Sequence, residues 1–129
     1  MIKEITLIIG EESCTATMLT EQAPNLCAAI EKALPITARL THAKLVDREI
    51  FLQLPFCIDV MENDKLSANG DVGFWNGRQT LCIFYDEMKP LGTQPTFARL
   101  TGNLEGFRRE AAEAWEKPGK LITIKAKEA

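Results

Sequence analysis

The hydrophobic and polar residues near the start of the chain alternate one by one. Ile5, Leu7 and Ile9 fall on one face of an extended segment, and residues 13–18 repeat the alternation after the turn-forming residues 10–13. A period of two is typical of strands that bury one face. The pattern therefore predicts that the chain opens with a β-hairpin.

Two later segments repeat their apolar residues every three or four positions, as amphipathic helices do. They predict helices over Pro24–Leu34 and Leu104–Trp115. A proline suits the first turn of the first helix, and the proline after it disfavours helical geometry in the preceding residue. Asn103 is the predicted N-cap of the second helix, and Trp115 lies on its apolar stripe, which predicts that Trp115 belongs to the core.

Six further segments have the composition of strands, and two connections between them stand out. Asn76–Gly77 separates two of these segments, and Asn-Gly is the strongest short signal for a type I′ hairpin turn. Pro55–Asn69 shows no period, and a long irregular loop of this kind is often functional. The six predicted strands are 36–45, 48–54, 70–75, 80–85, 97–103 and 121–126. Eight strands with two helices predict a mainly β fold, a closed eight-stranded antiparallel barrel, because closure removes exposed strand edges.

Length and charge narrow the class of protein. The 129 residues fit one domain over 1–129, and the net charge of −3 comes with no cluster of basic residues. Nucleic-acid binding, which needs such clusters, is therefore not expected. No apolar run reaches the length of a membrane span, and the first ten residues lack the pattern of a signal peptide. We expect neither a nucleic acid nor a membrane as a partner.

The residues that usually carry metal or redox chemistry are few and scattered. The four cysteines contain no CxxC pair and have apolar neighbours, which predicts buried free thiols in a reducing cytoplasm. His42 is the only histidine, so a histidine metal site cannot be built, and a structural role is the favoured interpretation. Glu62, Asn63 and Asp64 could hold a hard cation, but a solvated acidic loop is the favoured interpretation. We expect no metal and no cofactor.

Two motifs in the middle of the chain resemble those of a known family. Residues 70–75 read GDVGFW and residues 81–85 read LCIFY. This pair resembles the central motif of small prokaryotic proteins, bacterial and archaeal, that have a cyclophilin-like barrel and unknown function. Residues 16–34 and 100–113 also resemble strand–helix segments of cyclophilins. The resemblance covers nearly the whole chain and implies an eight-stranded barrel with a helix over each open end. Asp86 departs from it, since the family has glycine there.

Cyclophilins themselves are prolyl isomerases that polarise the proline amide with an arginine on a middle strand. The corresponding strand here reads IFLQLP and has no arginine, whereas Gln79 matches the cyclophilin glutamine. The resemblance therefore implies a binding module without enzymatic activity. The alternative is a prolyl isomerase with an atypical active site, in which Arg39 or Arg99 replaces the missing arginine.

Aromatic and polar residues on neighbouring strands predict one ligand site. Trp75 adjoins a turn and is expected at the rim of a concave surface, opposite the Pro55–Asn69 loop. A mostly apolar surface with a few polar groups is typical of ligand sites, so we expect a small molecule or an extended peptide there. The predicted ligand-binding residues are Phe51, Gln53, Glu62, Trp75, Gln79, Tyr85 and Arg39. Trp75, Phe51 and Phe97 also predict an apolar outer patch and, from it, a homodimer.

Overall fold

The alternating segments of the sequence pair into one antiparallel sheet that curls on itself. The structure is a computed structural model that describes residues 1–127. Its strands are β1 (Glu4–Ile9), β2 (Glu12–Met18), β3 (Ile36–Arg39), β4 (Thr41–His42), β5 (Glu49–Gln53), β6 (Asp64–Leu66), β7 (Asp71–Trp75), β8 (Thr80–Phe84), β9 (Thr93–Gly102) and β10 (Leu121–Ala126). Its helices are α1 (Pro24–Ala33) and α2 (Leu104–Glu113).

The order of the strands nearly closes the sheet into a barrel. Along the sheet the order is β3-β10-β1-β2-β9-β7-β8-β5-β4, with β6 paired to β9. Only Leu40 separates β3 from β4, so the two ends of this order are consecutive in the chain. The predicted mainly β fold, an antiparallel barrel with two helices, is confirmed.

The strand count differs from the predicted eight for two reasons. The predicted strand 36–45 breaks at Leu40, whose N–H donates to the carbonyl of Lys120 at 2.7 Å and whose carbonyl accepts from Gly119 at 3.0 Å. These bonds belong to the turn before β10 rather than to a sheet ladder. In addition, β6 lies inside the segment 55–69 that has no sequence period, because its pairing partner is β9, far along the chain.

The turn after β7 is also different from the predicted one. Trp75 pairs with Thr80, so four residues connect β7 to β8, and Asn76–Arg78 forms one turn of 3₁₀ helix. The left-handed residue is Gln79, with φ 51°, instead of the Asn-Gly pair. A tertiary contact overrides the local preference, because the side chain of Asn76 donates to the carbonyl of Val60 at 3.0 Å.

Both helices bury one face against the barrel. Neither helix is long and apolar enough to cross a membrane. Phe107 in α2 is fully buried. Trp115, predicted to be a core residue, is only half-buried, because α2 ends at Glu113 and the chain then turns. Asn103 stands at the N-cap, but its side chain donates to the carbonyl of Ser13 instead of capping the helix.

Candidate functional site

A groove of about 520 Å³ lies on the outer face of the barrel. In β8, Leu81 and Ile83 point into the core, so Thr80, Cys82 and Phe84 face outward. All five residues of β8 are nevertheless buried, which shows that this outer face is covered as well. The groove forms where that cover is incomplete.

The segment after β4 and the segment that leads into β9 make the walls of the groove. Residues 43–46 line one side, and residues 91–94 line another. The chain approaches β7 closely at Gly73, where an added Cβ would lie 2.6 Å from Oε1 of Gln94 and 2.9 Å from the carbonyl oxygen of Pro95. Glycine is therefore what allows residues 94–95 to cross over this strand and complete the wall.

The rim of the groove is apolar and open to solvent. Leu45, Trp75 and Leu91 are 87%, 50% and 71% exposed. Arg78 lies against Trp75, with its guanidinium carbon 5.5 Å from the centre of the Trp75 ring. A molecule that entered the groove would bury apolar surface at this rim.

The floor of the groove contains polar groups that were not among the predicted ligand-binding residues. The side chain of Glu49 faces outward from β5, and this residue is only 7% exposed. Burial raises the pKa of Glu49 above its ordinary value. Burial, followed by the neighbouring Glu49, also raises the pKa of the Cys82 thiol, which is therefore protonated. A protonated thiol is a poor nucleophile.

The burial of Glu49 leads to a prediction about pH. A carboxyl whose pKa is raised by folding stabilises the protein below its ordinary pKa of 4.5, and this contribution is lost as the pH rises through the raised value. Glu49→Gln has a side chain that stays neutral, so it should not lose stability in this pH range. In urea unfolding, we expect the wild-type protein to lose stability relative to Glu49→Gln as the pH rises above 4.5. If the free energies of unfolding of the wild-type protein and of Glu49→Gln changed with pH in parallel, the carboxyl of Glu49 would not be desolvated.

Phe51 and Trp75 are the two predicted site residues that line the groove. Gln53 and Gln79 instead line a shallow depression on the other side of Arg78, a residue shared by both surfaces. Oε1 of Gln79 accepts from the backbone N–H of Ile58 at 2.7 Å. Its role here is to hold the loop after β5 against the turn.

Glu62 lies at the start of α1, away from the groove. Its carboxylate accepts from the backbone N–H groups of Asn25 and Leu26 at 2.9 and 2.8 Å, and from the Asn25 side chain at 2.8 Å. The bond from Leu26 is the main reason why the pKa of Glu62 is lowered. Because Ala23 at the N-cap has no capping side chain, Glu62 supplies the cap from a distant loop.

The possible cation ligands next to Glu62 have other partners. The side-chain nitrogen of Asn63 donates to the carbonyl of Thr96 at 2.9 Å. Asp64 accepts from the hydroxyl of Thr93 at 3.2 Å. Within residues 1–127, the structure groups no three His, Cys, Asp or Glu side chains in a way that could hold a metal ion.

The remaining predicted residues do not reach the groove. Arg39 is exposed on β3 and donates to the carbonyl of Gly119 at 2.8 Å. Tyr85 is a core residue, 1% exposed, with its hydroxyl 2.6 Å from Nε2 of His42. Arg99 pairs with a buried carboxylate on β7. Neither arginine that could replace the missing isomerase arginine therefore lines the groove.

One predicted contributor to the outer patch is also misplaced. Phe97 is fully buried in the core and not on the outer face. Phe97 is the extra residue where the ladder between β7 and β9 shifts register, because Val72 pairs with Ala98 and Gly73 with Thr96, and this irregularity lets Phe97 enter the core beside Ala98. The exposed apolar surface is formed by the rim of the groove instead.

The chain is similar to one protein-family model and to two solved structures. The model of a family described as cyclophilin-like matches residues 3–114. AF2241, a hypothetical protein from Archaeoglobus fulgidus, has a solution structure with a TM-score of 0.74 and 21% identity over 98% of this chain and 95% of that one. McbB, solved in complex with tryptophan, has a TM-score of 0.81 and 17% identity.

The two structural alignments cover different shares of the matched proteins. The alignment with McbB covers 97% of this chain but 45% of that chain, so this chain spans less than half of the length of McbB. At such identities the two structures show a common fold alone. No curated protein matches the sequence.

Proposed function

The chain belongs to the cyclophilin-like family, as its central motifs predicted, and we propose that it is a binding module that holds a small molecule in the outer groove. The volume of the groove, about 520 Å³, is the observation that carries this proposal. Ligand sites commonly have volumes of a few hundred cubic ångströms, apolar walls and a small number of polar groups. The rim and floor described above have this composition.

The strand order favours a small molecule over an extended peptide. Peptides in extended conformation usually bind by adding a strand to an exposed sheet edge. The groove is lined mainly by outward-facing residues of β5, β7 and β8, and each of these strands is paired on both sides, so the groove offers no free strand edge. A small molecule would need no such edge, and McbB, which shares the fold, was solved with the small aromatic molecule tryptophan.

The chemistry of the groove supports binding without catalysis. The Cys82 thiol is protonated, and the single histidine, His42, packs against Tyr85 and Trp115 instead of lining the groove. The isomerase alternative required Arg39 or Arg99 near the aromatic residues, and both have partners elsewhere. The free thiols of the four cysteines also fit the reducing cytoplasm that we propose as the location.

Trp75→Ala tests the proposed function. A set of aromatic probes, including indole, tryptophol and tryptamine, is screened by thermal shift, since a ligand of the folded state raises the melting temperature. We expect Trp75→Ala to weaken the binding of each hit by about 1–3 kcal/mol, as expected for losing one large apolar contact. Binding should also change the emission of Trp75, measured in Trp115→Phe, where Trp75 is the sole tryptophan.

Leu121→Ala is the matched control, because Leu121 is 51% exposed, close to the 50% of Trp75, and does not line the groove. It should keep the wild-type affinity for every hit. If no probe raises the melting temperature, or if Trp75→Ala and Leu121→Ala bind the probes equally well, the groove is not the binding site.

A further inference from the structure

We propose that the groove selects ligands that carry a primary ammonium group on an apolar, preferably aromatic, body, and that Glu49 is the residue that binds the ammonium. This inference rests on the proposed function of the groove. It adds the charge and the donor pattern of the ligand, which the volume and apolar rim do not specify.

The position of Glu49 makes it a buried acid that faces a cavity. It begins β5 opposite Phe84 of β8, and its backbone carbonyl accepts from the N–H of Ala43 at 2.8 Å, which continues the β4–β5 ladder and places the segment 43–46 beside it. The residue is more than nine-tenths buried and lines the groove. Within residues 1–127, none of the ion pairs involves Glu49.

The basic side chains that line the groove are directed to aromatic rings. Nζ of Lys44 lies 5.6 Å from the centre of the Trp115 ring, and the guanidinium of Arg78 lies over Trp75. Cys82, the other ionisable residue of the lining, cannot supply a positive charge. Because a buried carboxylate is costly unless it is paired, a cation from the ligand is the partner that this site lacks.

Two further oxygen atoms in the lining have unused hydrogen-bonding capacity. Oγ of Ser67 and Oε1 of Gln94 are buried and have no hydrogen-bond partner in the described structure. Gln94 lies against Gly73, which pairs with Cys82, and Glu49 pairs with Phe84 on the same strand, so both residues lie near the outer face of β8. The two unpartnered oxygens are shielded from the groove, so the acceptor that an entering ligand meets is the Glu49 carboxyl. An ammonium group, which has three N–H donors and no acceptor, matches such a group.

The same features disfavour other ligand classes. A carboxylate ligand would meet the acidic side chain of Glu49, without a free basic group on the floor to pair with it. A neutral alcohol could make one hydrogen bond but would leave the charge of Glu49 unpaired. The aromatic side chains Phe51 and Trp75 suit the apolar body of an amine, and aromatic faces also attract cations.

The test uses three probes with one indole ring and different side-chain ends. Tryptamine carries an ammonium, tryptophol a hydroxyl and indole-3-propionate a carboxylate, and their affinities are measured by isothermal titration calorimetry. We expect tryptamine to bind the wild-type protein at least about tenfold more tightly than tryptophol, the gain typical of a hydrogen bond to a charged group. Indole-3-propionate should bind most weakly.

Glu49→Gln separates the role of the charge from the shape of the groove. The variant should lose the preference for tryptamine, with its affinity for tryptophol unchanged within about twofold. Glu116→Gln, which removes the same charge from an exposed position outside the groove, should behave as the wild-type protein. Circular dichroism of each variant shows whether it folds, and Glu49→Asp, which keeps the charge on a shorter side chain, should retain part of the preference.

The outcomes distinguish this inference from the proposed function. If the three probes bind with equal affinity and Trp75→Ala weakens all of them, the groove binds small molecules but Glu49 does not select amines. If Glu49→Gln keeps the full preference for tryptamine, the inference is wrong. If none of the probes binds and light scattering shows a dimer whose formation changes Trp75 emission, a second copy covers the groove and both proposals are overturned.

Discussion

Phe107→Ala should lower the free energy of unfolding by about 3–5 kcal/mol, as large-to-small substitutions of buried phenylalanine do. The side chain of Phe107 is completely buried, with an exposed fraction of 0%, and it packs within the main hydrophobic core. It lies in α2, which packs on β1 and β2. The alanine variant therefore leaves a cavity between this helix and the barrel, and urea unfolding followed by circular dichroism measures the loss.

Trp115→Ala is the matched comparison for this prediction. Trp115 is the larger side chain, but it is half-buried and packs on the ring of His42 at 4.8 Å between centroids. Its removal should cost about 1–2 kcal/mol, in proportion to the apolar surface that it buries. A larger loss for Trp115→Ala than for Phe107→Ala would mean that Trp115, as the helical stripe predicted, is the core residue of this region.

Asp71→Ala should lower the free energy of unfolding by about 2–3 kcal/mol, because it removes a buried acceptor of several hydrogen bonds. The side chain of Asp71 is 2% exposed. One oxygen accepts from Arg99 at 2.9 Å, and the other accepts from the backbone N–H of Ala68 at 2.9 Å and from Lys65. These bonds connect β6, β7 and β9 on the outer side of the barrel.

The two basic partners of Asp71 are more than a third exposed, so solvent screens their attraction to it. Most of the loss should therefore come from the hydrogen bonds that the buried Asp71 carboxylate accepts rather than from ion pairing, and it should change little with salt. Asp71→Asn, which keeps an acceptor oxygen, should lose about half as much stability as the alanine variant. Hydrogen exchange at Ala68 should accelerate in Asp71→Ala, and equal exchange in the two variants would contradict this account.

The loop before β7 illustrates what local patterns could not reveal. No period in Pro55–Asn69 predicts β6, because its three residues pair with β9, about thirty positions later. The same holds for Glu62, which resembles part of a solvated acidic loop in the sequence but caps α1 in the structure. Hydrogen bonds between distant segments leave no periodic trace in either segment.

The candidate site was only partly accessible from sequence for the same reason. The alternation in β5 put Phe51 on the outer face, and the position of Trp75 beside a turn predicted its exposure, which is 50%. The same alternation put Glu49 beside Phe51, a signal that could have marked it. What made Glu49 unusual is its burial, which depends on how the neighbouring segments, including residues 43–46, pack on this face of the barrel.

The sequence by itself determined most of the strands, the two helices and the family, because the signals for them are local. These signals are periods of two and of three to four residues, prolines at helix ends and the motifs at 70–75 and 81–85. The tertiary structure alone decided which outward-facing residues are covered. A strand alternates in the same way whether its outer face meets water or another segment of the chain. Residues 94–95 lie against Gly73, and Val46 packs on Cys82 and Phe84, so an ordinary outer face becomes a groove. The acid on its floor, Glu49, forms no ion pair within residues 1–127.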